Sequence, residues 1–364
     1  MGGLGFYQPA MAMIGLQFHY AVLAMFTRAA LLHGMNTRVF VVYRQAIATL
    51  ALAPFALSCK SRRESFKTSL GLRNLSLLFI TSLIGVTANQ NAYFEGLHLS
   101  SSTVTTAMSN LIPALTFVLA TIFGLEKIDV RSLRSLAKIA GTVLCVGGAI
   151  TMALLKGQKL LNMQFLPSKQ AFGLQGDHWL LGCAFLLTSS ITWSFWMIMQ
   201  VPVSSSCPDH VLSTFWMCLM AAIEAAIFTL VVDKDSQAWN LNSTLEYSSC
   251  LYAGIGIAVS VFIQSWTISK RGPLFCAMFN PLCTVITAMV AATFLHEELY
   301  VGSLIGALAV ISGLYIVLWG KAEEVEGIKQ EAQLNSTDQN DQINCKTDLE
   351  EALLSHVSES KIIP

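Results

Sequence analysis

Apolar residues cluster along the chain in ten blocks of about 20, the length a helix needs to cross a hydrocarbon core of about 30 Å. The blocks fall near residues 10–32, 39–58, 75–97, 101–124, 135–155, 179–200, 210–231, 249–268, 274–295 and 300–319. Membrane strands need only about 10 residues, so the pattern predicts an all-α integral membrane bundle of ten transmembrane helices, not a barrel. Two polar stretches stand apart. Residues 156–178 read as a linker without chemistry, and residues 321–364 as a tail too poor in apolar side chains to build a core and hence disordered. Residues 1–9 form a short N-terminal segment with no basic n-region, so the first span is expected to stay uncleaved.

The blocks repeat. AMSNLIPALTFVLATIFGLEK, from Ala107, resembles AMFNPLCTVITAMVAATFLHEE, from Ala277, and Gly141 and Gly148 share a spacing with Gly306 and Gly313. Two five-span halves follow, residues 10–155 and 179–320. Because five is odd, the second half must enter the bilayer from the opposite side. Inverted repeats of this kind build carriers whose substrate site lies near the bilayer midplane. Asn110 and Asn280 sit several residues inside their spans, and Pro113 and Pro281 each remove a backbone donor and free a carbonyl one turn back. In lipid such a carbonyl is tolerated only where a neighbour, water or substrate satisfies it. Kinks packed by interhelical hydrogen bonds are one reading; recurrence at matched positions favours the other, residues of a substrate pathway.

Composition agrees with a membrane protein: 54% of residues are hydrophobic and 12% charged, with mean hydropathy +0.58. Lys and Arg total 22, as do Asp and Glu, so no global excess of either sign points to nucleic acid. The local distribution is informative. With the N-terminus in the cytosol, inner connections collect Lys60, Arg62, Arg63, Lys67, Arg73, Lys127, Arg131, Arg134, Lys138, Lys270, Arg271 and the basic residues of the tail, against Arg38, Lys156, Lys159, Lys169 and Lys234 outside. Both termini are therefore expected in the cytosol. The sequon at Asn242 then falls in an outer loop, where glycosylation is possible. The 9 cysteines form no CxxC and accompany no His cluster, so they read as packing residues without a metal. No cofactor motif, nucleotide-binding P-loop or catalytic constellation stands out, which argues against an enzyme and against direct ATP use.

At AMSNLIPALTFVLA, KRGPLFCAMFNPL, YVGSLIGALAVISGLYIVLWGK and YRQAIATLALAPFAL the chain resembles the plant nodulin-type, walls-are-thin-related transporters, EamA-domain members of the drug/metabolite transporter superfamily. The resemblance implies ten helices in two EamA repeats and transport of small organic solutes; members move amino acids, and some move auxin. It carries over Asn110, Pro113, Asn280 and Pro281 as motif positions without assigning them a substrate contact. The basic loop RESFKTSLGLRNLS follows the family only loosely. The expectation is a secondary carrier, facilitator or proton-coupled, for amino acids first and auxin or another metabolite as the alternative. A non-transporting membrane scaffold is the remote one. Its partners are a small solute and the bilayer, with a possible homodimer, in the plasma membrane or, alternatively, the vacuolar membrane.

Ionisable groups inside a span cost about 2.5 to 3.5 kcal/mol at mid-bilayer, so each should face the interior or an aqueous cavity. Glu224 lies deepest, among small alanines, and is a candidate for taking up a proton or ion; its alternative is a neutral carboxyl bonded to another helix. Arg44 offers a fork of donors suited to a carboxylate, with snorkelling as its alternative, and Arg28 lies similarly near the outer end of span 1. Gln17, Asn91, Trp193, Gln264 and Trp266 could line a wet cleft together with Tyr20, Gln90 and Trp196, and His19 is a weaker candidate. Glu95 is expected to reach headgroups, Lys127 to offset Glu126, and Glu297 with Glu298 to cap span 10. The glycine faces of spans 5 and 10 predict close helix contact, within the chain or across a dimer.

Overall fold

The computed structural model describes residues 4–32, 34–57, 71–100, 102–126, 132–154, 176–233, 236–241, 243–294 and 305–320. Helix occupies all ten of the apolar blocks. The helices are α1 (Leu4–Leu32), α2 (Thr37–Leu57), α3 (Leu72–Leu99), α4 (Ser102–Ser109 and Ile112–Ile122), α5 (Leu133–Leu154), α6 (Gly176–Ser206), α7 (His210–Val232), α8 (Thr244–Arg271), α9 (Pro273–Ala277 and Asn280–Phe294) and α10 (Ile305–Gly320). Among the described residues seven helices are long and apolar enough to cross a membrane: α2, α3, α4, α6, α7, α8 and α9. The apolar part of α5, Ser135–Gly148, and α10 are shorter.

Helix ends follow local chemistry. Asp209 caps α7 by accepting from the backbone of Val211 and Leu212. Ser243 and Glu246 form a capping box that starts α8. Gly272, at φ 86°, stops α8 in a conformation that disfavours a side chain, and Pro273 opens α9 at a position that needs no amide donor. The breaks in α4 and α9 fall at the asparagine–proline motifs. Hydroxyls of α6 face the first: Ser190 Oγ lies 2.9 Å from the Met108 oxygen, which also accepts from the Leu111 amide, and Ser194 Oγ lies 3.3 Å from the Ile112 oxygen.

The packing exchanges between halves. α3 lies on α6 as α8 lies on α1; α4 lies on α6 as α9 lies on α1; α3 meets α7 as α8 meets α2; and α2 with α7, and α4 with α9, pair across the centre. Replacing every helix by its counterpart five places along regenerates the same set. The core is thus built between the repeats. Outside it, α5 and α10 meet through glycine: a Cβ on Gly148 would lie 2.6 Å from the Ala309 Cβ and 2.9 Å from the Gly306 carbonyl, and one on Gly313 only 2.5 Å from the Cys145 nitrogen. These small-residue faces serve contact within the chain.

Ion pairs stand near both ends of the bundle. At one, Arg38 bridges Glu95 and, at 3.1 Å, Asp233, which also accepts from Asn36 at 3.2 Å. Glu95 is therefore an ion-pair partner and not a headgroup ligand. At the other, Lys138 and Glu126 pair at 3.1 Å with side chains only 1% and 2% exposed. Lys138, expected as a loop charge, is buried in α5 and neutralises Glu126; Lys127, Glu297 and Glu298 lie outside the described residues.

Two stability outcomes follow. Gly313→Leu forces α5 and α10 apart and should cost about 1–3 kcal/mol by overpacking, whereas Gly147→Leu, with nothing within 4 Å of its Cβ, should leave the melting temperature in detergent unchanged. Equal melting of the two variants would contradict the glycine contact. Lys138→Met takes the ammonium away from the buried Glu126 carboxylate and should lower the melting temperature, with part of the loss recovered in the Lys138→Met, Glu126→Leu double variant; an equally unstable double variant would contradict the pairing.

Candidate functional site

Six helices, α1, α2, α3, α6, α7 and α8, surround a small central cavity of about 20 Å³ walled in part by Tyr20, Gln45, Gln90, Trp193 and Trp196. That volume admits a water but no organic solute, so in this conformation the centre is closed. A larger hollow of about 470 Å³ lies beside His19, Tyr252 and Gly256. Its walls are apolar and it opens sideways past the exposed Leu251 and Ile255 of α8, where acyl chains would lie, so the central cavity is the better candidate.

Beyond the residues that line this cavity, the buried polar side chains divide by whether they find partners. Arg44, 5% exposed, lies with its guanidinium 5.7 Å from the Phe40 ring centre and has Tyr20, Tyr93 and Cys250 in its electrostatic neighbourhood. Among the described residues its Nε and Nη2 have no acceptor. An unpaired buried cation is expensive to hold, by several kcal/mol. Gln17 and Gln264 are fully buried, and the amide oxygen and nitrogen of each lack a partner among the described residues. Asn110 is half satisfied: its Oδ1 accepts from Thr284 at 3.0 Å, joining the α4 motif to the α9 motif, while its Nδ2 has no partner.

Other candidates are committed elsewhere. Asn91 donates to the Thr87 carbonyl at 2.7 Å, inside its own helix. Trp193 stands at the cavity wall, stacked on Trp196 with ring centres 5.0 Å apart. Trp266 is not in that wall; Lys270 lies 4.4 Å over its ring near the end of α8. Pro113 and Pro281 are buried in the restart of α4 and α9, and Asn280, half-buried, begins the second part of α9. His19 contacts Tyr252 at 3.0 Å through Nδ1. Glu224 accepts from Ser82 at 2.6 Å and Thr87 at 2.8 Å, both on α3. The side chain of Arg28 and residue Asn242 lie outside the described residues. No group of three or more potential metal ligands forms among the described residues.

Two features escape a reading of the sequence alone. Gln45 reaches the cavity wall, and its only signal is its place beside Arg44 in VVYRQAIATL. The second is a π-helical turn, Leu83–Ala88, in the middle of α3. Gly85 within it has no room for a Cβ, which would overlap the Trp196 side chain.

Comparison with known proteins agrees with this architecture. Residues 9–154 and 180–319 each match the EamA-like transporter family. WAT1-related protein At4g30420 of Arabidopsis thaliana is 48% identical, covering 97% of this chain and 98% of its own length. Protein WALLS ARE THIN 1 of the same plant is 38% identical, covering 87% and 84% respectively. A crystal structure superposes with a TM-score of 0.67 over 85% of this chain and 98% of its own, at 14% identity, a likeness of fold alone. With both halves matched and the relatives aligned along nearly their whole length, the chain belongs to the plant WAT1-related transporters of the EamA-like transporter family.

Proposed function

We propose that the protein is a secondary carrier of small carboxylated organic solutes, amino acids first, working by alternating access. Ten helices would span the bilayer, with both termini cytosolic and the second half inverted relative to the first. The positive-inside bias and the odd number of helices per half support that topology. The exchange of helix contacts between halves supports a rocking mechanism, in which each half adopts in turn the packing of the other. The host membrane is proposed as the plasma membrane, with the vacuolar membrane as the alternative. A homodimer stays possible, though the glycine faces that suggested one are engaged within the chain.

One observation carries the substrate class: the buried guanidinium of Arg44 has two nitrogens without an acceptor among the described residues. A planar fork of donors held in a dry site matches the two oxygens of a carboxylate. Gln17, Gln264 and the free amide nitrogen of Asn110 supply further hydrogen bonds for a polar end. The closed cavity is smaller than any such solute, so the helices around it separate on one side to admit cargo. A second reading, auxin or another flat aromatic acid, draws on the stacked Trp193 and Trp196 beside the cavity, whose faces suit a planar ring.

The test is flux through the purified protein in liposomes. Labelled amino acids and auxin should exchange across the membrane, and Arg44→Lys should raise KM for the carboxylated solute about tenfold or more by loss of the fork, a change of about 1.4 kcal/mol or more. Methyl esters of the same solutes should respond little to that substitution. Unchanged KM for the acid in Arg44→Lys would remove Arg44 from the site, and absence of flux for every solute would remove the carrier reading.

A further inference from the structure

The polar groups not absorbed by the solute site lie on its far side, where α7 meets the π turn of α3. Glu224 of α7, 8% exposed, reaches across to the two residues that bracket the turn: Ser82 immediately before Leu83, and Thr87 one residue before its end. Among the described residues no charged group on the helices packed against α7 pairs with the Glu224 carboxyl, Arg73 at the start of α3 and Arg271 at the end of α8 included. Arg38 of α2 and Glu95 of α3 pair with each other, and Asp233 joins them at the bundle end. Glu246 caps α8, Lys270 lies over Trp266, and Arg44 faces Tyr20, Tyr93 and Cys250. The described partners of the Glu224 carboxyl are thus the two hydroxyls.

Counting hydrogens gives this site two states. Ser82 Oγ lies 2.6 Å from Glu224 Oε1 and 3.0 Å from the Phe79 carbonyl, but a serine carries one hydroxyl hydrogen. If Glu224 is ionised, Ser82 and Thr87 both donate to it and the Phe79 oxygen loses the serine. If a proton is added at Oε1, the new O–H donates to Ser82 Oγ, and the serine hydrogen turns to Phe79. Phe79 is where the helix changes register: the Leu83 amide is shared between the carbonyls of Phe79 and Ile80. At the other end of the turn, the Asn89 amide reaches back five residues to Ile84, the bond that defines a π turn.

The same turn leans on the cavity. Gly85, at its middle, presses against Trp196 so closely that any side chain would collide, and Trp196 forms part of the cavity wall. A shift of the π turn must therefore move Trp196 or open a gap behind it, because the contact has no slack. From this juxtaposition we infer that Glu224, Ser82 and Thr87 form a proton site on the π turn of α3, and that its occupancy sets the position of Trp196 at the solute cavity. This rests on the carrier reading above and deepens it, since it names the coupling ion and the element through which it acts. Protonation enters as one H⁺ from water on the open side, and its release to the other side restores the carboxylate.

The experiment uses the full chain in lipid nanodiscs and in liposomes. Tryptophan fluorescence in nanodiscs should titrate with pH, and the titration should vanish in Glu224→Gln and in Trp196→Phe, which isolates one of the 7 tryptophans. In liposomes, with a mixture of labelled amino acids as probe, uptake under an inward proton gradient is divided by exchange at equal pH. The wild-type ratio should rise several-fold, and the Glu224→Gln ratio should fall to one. Should Glu224→Gln not fold, Ser82→Ala with Thr87→Val should displace the fluorescence midpoint by about one pH unit or more, because the carboxyl loses both its donors. A titration or ratio unaltered by these substitutions, or a wild-type ratio of one with exchange intact, would overturn the proton site. Loss of all exchange in the wild type would instead count against the carrier, and the nanodisc titration would still decide the proton site.

Discussion

A hydrocarbon interior offers no hydrogen bonds, so every polar group carried into it must be met by another group of the protein or by something the protein carries. That constraint organises this molecule. It explains why Lys138 and Glu126 are found side by side in a dry place. It also makes the exceptions informative. Gln17 of α1, Arg44 of α2, Gln264 of α8 and half of Asn110 at the break in α4 are buried without partners among the described residues, and the proposed solute site rests on them.

Duplication supplies the geometry. Helices of one repeat pack chiefly against helices of the other, so the centre of the bundle is a surface between two similar bodies. One end of that surface is tied by Arg38, paired with Glu95 in the first repeat, to Asp233 of the second, a part-exposed set that is screened and readily broken. Lys138 and Glu126 differ in kind: both belong to the first repeat, and their dry pair holds α5 to the segment that follows α4. α5 and α10 are held together by glycine contacts outside the core between the repeats.

Much of the helical layout was legible because a membrane span needs one simple property, apolar length, and the chain displays it. The breaks in α4 and α9 were legible too, since asparagine followed by proline within an apolar block has few other uses. The π turn was not, because a change of backbone register leaves the side-chain pattern almost unaltered; only Gly85 and the hydroxyls of Ser82 and Thr87 hint at it. Lys138 looked like a loop charge because a lysine near the start of an apolar block reads as its boundary, and its partner Glu126 lies in the bend after α4. Arg44 was visible as a charge in a span. That its nitrogens lack partners is a fact of three-dimensional packing, as is the displacement of Trp266 from the cavity that Trp193 helps to line.

The central claim is that two oppositely inserted halves enclose one cavity that opens to each side in turn. It is tested most directly by placing a single cysteine at Gln90, in the cavity wall, in a chain whose 9 native cysteines are replaced, and applying a membrane-impermeant thiol reagent from each face of sealed vesicles in turn. The account expects labelling from both faces, slowed from both by a transported solute. Labelling from one face alone, or from neither under any condition, would contradict it.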